Sequence, residues 1–126
     1  MPPLVAVIDD DNSVRESSES LIRSAGFAVC VFDSAEQFLN SPDLQRVACL
    51  VLDVWMPGMS GPELRRTLLS EGYEVPVIFI TAAADEEARA RELANGAVAY
   101  LTKPFDEEEL LSAIERALKS DSKRDD

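Results

Sequence analysis

Four uninterrupted apolar runs constrain this chain more than any other feature: LVAVI at 4–8, AVCVF at 28–32, VACLVL at 47–52 and VPVIFI at 75–80. A shorter fifth run, AVAYL at 97–101, is similarly bounded. Runs without polar alternation are expected of strands covered on both faces. Pro76 belongs at the start of its strand, where a missing N–H costs least.

Helical periodicity fills the gaps. Residues 13–25 carry Val14, Leu21, Ile22 and Ala25 on one stripe, with Gly26 as the stop. Ser34 and Gln37 have the spacing of a capping box that opens a short helix to about Asn40. Pro62 is expected as the first helical residue of a segment whose apolar face is Leu64, Leu68 and Leu69. An alanine-rich helix over 85–95 closes at Asn95-Gly96. Asp106 and Glu109 form a second capping-box pair, opening a helix with Leu110, Leu111, Ile114 and Leu118 inward.

The order is βαβαβαβαβα with short connections, which implies a parallel sheet with helices on both faces. A doubly wound open sheet fits, as does a fragment of a barrel; a closed barrel needs about twice this length. The expected domain is 1–119, with the polar SDSKRDD at 120–126 as a frayed tail or the start of a linker.

Composition narrows the chemistry. The chain has 126 residues, enough for one domain with its own core. Twelve basic against twenty-four acidic residues give a net charge of −12, which disfavours direct nucleic-acid binding by this chain. No apolar stretch is long enough to span a membrane and no signal peptide is recognisable, so a cytoplasmic location is expected. Cys30 and Cys49 lie in apolar runs and are expected as buried thiols rather than a disulfide. There is no histidine, so Ser-His-Asp triads and histidine metal sites are excluded.

The first run ends in Asp9, Asp10 and Asp11. Adjacent carboxylates repel and raise one another's pKa, so a cation or full hydration must offset them. Asp11 reads as a first-turn acid at a helix N-terminus. In open parallel sheets, sites form beyond the carboxyl ends of the strands. Those ends deliver Asp9 and Asp10, then Asp53, Thr81 and Lys103. Three acids suit a hard cation such as Mg²⁺, with Mn²⁺ as the alternative. With a cation and Lys103 to neutralise charge, Asp53 could attack a phosphoryl group, and Thr81 could donate to it.

The motifs VIDDD, LDVWMPGMSG, ITA and YLTKPF, taken in order over residues 4–119, resemble the receiver (phosphoacceptor) domain of two-component response regulators. VIDDDNSVRESSESLIRSAGF with SAEQFL is most similar to nitrogen-fixation and LuxR-type regulators. The resemblance implies a flavodoxin-like sheet of order 2-1-3-4-5. It implies that Asp53 takes a phosphoryl group from a sensor histidine kinase or phosphotransfer protein. Asp10 would bind Mg²⁺ directly, Asp9 through water, and Trp55 through its backbone carbonyl. Thr81 and Tyr100 would form the switch, Lys103 would pair with the phosphate, and Lys103-Pro104 would be a cis peptide. The face made by the fourth helix, fifth strand and fifth helix would change partner, a homodimer included. Such a domain is a phosphoacceptor, not an enzyme with free substrates.

Trp55 departs from the family pattern by its bulk, and its side chain is expected to overhang the site. Ala82, Ala83 and Ala84 stand where relatives often place glycine and polar residues. Two other readings remain open on sequence: an aspartate-nucleophile phosphohydrolase, and an adaptor that keeps only the fold. The first commonly needs a second acid where Trp55 stands. The second is disfavoured by the intact Asp9, Asp10, Asp53, Thr81 and Lys103.

Overall fold

A computed structural model describes residues 2–124. The elements run β1 (Leu4–Ile8), α1 (Asn12–Ser24), β2 (Ala28–Phe32), α2 (Ala35–Leu39), β3 (Cys49–Asp53), α3 (Gly61–Ser70), β4 (Val77–Thr81), α4 (Glu86–Ala94), β5 (Ala99–Thr102) and α5 (Glu107–Arg124). All neighbouring strands are parallel, and their order is β2-β1-β3-β4-β5. This is the doubly wound, flavodoxin-like arrangement, so the barrel alternative is set aside.

The unbroken apolar runs have a direct physical cause. Successive strand residues point to opposite faces, and here each face is a core. Ala6, Ile8, Leu50, Leu52 and Phe79 pack on one side with Phe38 of α2, Leu64 and Leu68 of α3 and Ala88 of α4. Val5, Val7, Val51, Ile78 and Ile80 pack on the other with Ile22 of α1 and Leu110 and Ile114 of α5. No position in the three central strands is left for a polar residue until each strand reaches its carboxyl end.

Local details refine the sequence reading. β4 begins at Val77 because Pro76 has no N–H to donate, although its carbonyl accepts from Leu50 N at 2.9 Å. Gln37 does not complete a capping box with Ser34: Ser34 Oγ accepts from Gln37 N, but the Gln37 side-chain Oε1 accepts from Asp33 N, at 2.7 Å, rather than from Ser34 N. α3 starts at Gly61, one residue before Pro62, under a full capping box between Ser60 and Glu63. Leu69 was expected inward and is 46% exposed. On α5 the buried stripe includes Ala113 and Ala117, while Leu111 and Leu118 are only partly covered. That helix continues through Arg124, past the expected boundary at 119; Asp125 and Asp126 lie outside the described residues. Both cysteines are thiols, Cys49 buried and Cys30 half-buried, and burial beside Asp43 pushes the Cys30 thiol up to about 11. No helix among the described residues is long and apolar enough to cross a membrane.

Candidate functional site

Parallel pairing brings the carboxyl ends of four strands to one rim. Ile8 aligns with Leu52, Asp53 with Ile80, and Thr81 with Thr102. The next residues after β1 are Asp9 and Asp10, and the next after β5 is Lys103. Asp9, Asp53 and Thr81 are buried, whereas Asp10 is exposed. Carboxylate oxygens of Asp9, Asp10 and Asp53 all lie within 4.8 Å of one another.

Asp9 is held from two sides. Its Oδ1 accepts from Asp11 N at 2.9 Å, and its Oδ2 accepts from Lys103 Nζ at 2.8 Å. Lys103 Nζ also stands 3.6 Å from Asp53 Oδ1. Asp11 is the N-cap of α1 rather than a first-turn acid, its Oδ1 accepting from Ser13 N and Val14 N. Lys103 N donates to the Thr81 carbonyl at 2.7 Å, and the Lys103–Pro104 bond is cis.

The electrostatics follow from this crowding. Burial and the adjacent Asp9 carboxylate push Asp53 up to about 7, against the downward pull of Lys103. Burial alone would lower Lys103, but its bond to Asp9 and the charge of Asp53 outweigh it and hold it above the ordinary lysine range. One ammonium therefore faces two of the three clustered carboxylates, Asp9 and Asp53. An all-oxygen donor set with excess negative charge fits a hard divalent cation, whose binding would relieve that repulsion.

Thr81 Oγ1 accepts from Ala83 N at 3.2 Å, which turns the loop after β4. Tyr100 is buried, its ring centroid 6.0 Å from that of Phe79. Burial and the nearby Asp85 and Glu92 carboxylates raise its hydroxyl above the usual tyrosine range. Trp55 is 67% exposed and, with Tyr100, lines a cleft of about 340 Å³ between the β3–α3 loop, α3 and α4. An acid two residues after Asp53, which the phosphohydrolase reading needs, is thus replaced by a solvent-facing indole.

Two supporting residues escaped the sequence reading. Arg15 Nη1 donates to the Asp9 carbonyl at 2.7 Å. Glu36 Oε2 accepts from Met59 N at 3.1 Å and lies over Gly58 in the loop after Asp53. Either residue looks like an ordinary helix-surface charge in sequence, and the Glu36 contact spans 23 positions. Gly61 abuts the acceptor directly: it donates to the Val54 carbonyl at 3.0 Å, and a Cβ there would overlap the Asp53 carbonyl oxygen.

A parallel α/β domain whose acids and lysine converge at one carboxyl-end rim defines a phosphoacceptor class, and the comparisons agree. The family model for the response regulator receiver domain matches residues 5–115, and the chain belongs to that family. Its members relay phosphorylation signals in two-component systems and act on their own acceptor rather than on a range of free substrates. TodT, a response regulator protein of Pseudomonas putida, is 46% identical over 116 residues, 92% of this chain and 51% of TodT. Nodulation protein W of Bradyrhizobium diazoefficiens is 41% identical over 121 residues, 96% of this chain and 53% of its own length. The response regulator StyR superposes with a TM-score of 0.90 at 46% identity, covering 98% of this chain and 63% of StyR. The chain spans about half the length of the curated relatives it matches.

Proposed function

We propose that Asp53 is the phosphoacceptor and that the domain takes its phosphoryl group from a phosphohistidine of a sensor histidine kinase or phosphotransfer protein. The observation that carries this is the convergence of Asp9, Asp10 and Lys103 on one buried aspartate at a strand end. An Asp53 carboxylate oxygen forms the new P–O bond as the P–N bond to the donor imidazole breaks and the imidazole departs. Lys103 neutralises an equatorial phosphoryl oxygen, and the Thr81 hydroxyl donates to another. Mg²⁺, or Mn²⁺, is the cation that the donor set fits; it would shield the carboxylates from the incoming phosphoryl oxygens. Asp10, Asp53 and the Trp55 carbonyl would hold it directly, and Asp9 through water.

Phosphorylation then shifts the population toward a state in which Thr81 turns to the phosphoryl group, Tyr100 is held in its inward position, and α4, β5 and α5 present a different face. That face is the proposed site of partner exchange, homodimerisation included. Residues 1–119 would form the receiver proper, with 120–126, the first five of which continue α5, as a tail or the start of a linker. The acidic balance supports a role without direct nucleic-acid contact by these residues, and a histidine-kinase donor would place the domain in the cytoplasm.

Intact mass after incubation with acetyl phosphate and Mg²⁺ is the test. One base-labile phosphoryl adduct, absent from Asp53→Asn, is the expected result. An adduct of equal yield on Asp53→Asn rejects the acceptor assignment, and no adduct on either protein favours the adaptor reading.

A further inference from the structure

Among the three acids at the rim, Asp10 is the least restrained. Asp9 is engaged through both oxygens by Asp11 N and Lys103, and Asp53 faces Lys103. Asp10 is exposed, and its carboxylate makes no hydrogen bond or ion pair among the described residues. With no side-chain partner to hold it, the backbone alone fixes the Cα–Cβ direction from which the carboxylate is presented. The peptide joining Asp9 to Asp10 is gripped by one side chain. Arg15, a half-buried residue on the first turn of α1, donates from Nη1 to the Asp9 carbonyl at 2.7 Å and from Nη2 to Asn12 Oδ1 at 2.8 Å. Asn12 is fixed in turn by Glu16, whose Oε1 accepts from its Nδ2 at 3.2 Å.

We propose that Arg15 is a positioning residue for the divalent cation: its guanidinium locks the Asp9–Asp10 peptide plane and so aims the Asp10 carboxylate into the site. This rests on the reading of Asp10 as a cation ligand. A positive charge this close to a cation site opposes metal binding by Coulomb repulsion. A role in charge alone and a role in geometry therefore have opposite signs. Removing the charge without loss of geometry tightens Mg²⁺, whereas releasing the peptide weakens it. The grip needs a planar two-pronged donor, which lysine does not supply.

The experiment titrates Mg²⁺ into the wild type, Arg15→Lys, Arg15→Gln and Asp10→Asn, following Trp55 emission and calorimetric heat, with melting curves of each metal-free protein. Both Arg15 variants are expected to bind Mg²⁺ more weakly, by on the order of tenfold, the usual effect of losing a residue that orients a ligand. The Lys variant should show this loss while melting close to the wild type, which a merely structural contribution would not produce. Backbone amide shifts of Asp10 and Asp11 in the metal-free Lys variant should move as the peptide is released. If Asp10→Asn weakens binding but the Arg15 variants bind as tightly as wild type or tighter, the positioning role is wrong and the Asp10 assignment stands. If Asp10→Asn binds Mg²⁺ unchanged, the ligand assignment fails and this proposal fails with it.

Discussion

Lys103 donates to Asp9 at 2.8 Å, and Asp9 is wholly buried while the lysine side chain is 17% exposed. The cation shared by the site is thus anchored on the acid next to the acceptor rather than on the acceptor itself, where Asp53 stands at 3.6 Å. Removing one partner of a buried pair leaves an uncompensated charge, at a cost of about 3–5 kcal/mol. Lys103→Met should accordingly lose about 3 kcal/mol in metal-free buffer, measured by urea denaturation. Adding Asp9→Asn to it should recover part of the loss, because the two changes share one interaction. Additive losses in the double variant would show that the pair does not act as a unit.

Asp53 gives the metal-free protein a defined pH response. Its carboxyl is raised from 3.8 in the unfolded reference to about 7 in the fold. Between those values the folded state holds a proton that the unfolded chain has released, so stability from this group falls as pH rises and the loss is complete above about 7. With EDTA present, the wild type should melt lower at pH 8 than at pH 5.5, by on the order of 2 kcal/mol or roughly 7 °C. Asp53→Asn should flatten that slope, and Mg²⁺ at pH 8 should restore the wild type. Identical slopes for the two proteins would place the titration elsewhere.

Tyr100 is already turned inward against Phe79 at a centroid separation of 6.0 Å. Its ring protons should therefore carry an aromatic ring-current shift before any phosphoryl group is added. Beryllofluoride should change them little in the wild type, and Thr81→Ala should permit Asp53 phosphorylation while altering the loop that Thr81 ties through Ala83. Tyr100→Ala should cost about 3 kcal/mol, as expected for truncating a packed aromatic residue. Tyrosine ring signals at solvent-exposed positions in the unphosphorylated protein would contradict the inward starting state.

Gly58 has φ +80°, and a Cβ there would come 2.7 Å from Glu36 Oε2. Gly58→Ala should destabilise by about 1–2 kcal/mol from backbone conformation alone, plus the displacement of Glu36. Combining it with Glu36→Ala removes the collision but not the backbone cost. The double variant should therefore be no worse than Gly58→Ala in thermal melts, and a larger deficit would assign Glu36 a separate stabilising role.

Sequence exposed the sheet because buried parallel strands demand apolar residues on both faces, and it exposed the rim because each run ended on a polar residue that the two cores had no use for. Asp9, Asp53, Thr81 and Lys103 were legible for that reason. Arg15 and Glu36 were not, because a charged residue on a helix surface has the same appearance whether it faces water or a backbone group far along the chain. Leu69 was misplaced because it sits at the edge of a stripe whose centre is Leu64 and Leu68. Glu92 carried a signal that was passed over: it lies four residues after Ala88, on the same buried face, and its carboxylate meets Arg91 Nε at 3.4 Å.

The contact between Gly61 and the backbone of Asp53 has a mechanical meaning. Here the α3 start bears on the Asp53–Val54 backbone with no room for even a methyl group, and it is bolted there by the bond from Gly61 N to the Val54 carbonyl. A joint of that kind has no backlash. A displacement of the acceptor's peptide is therefore passed to the start of α3 with no side chain between them to absorb it.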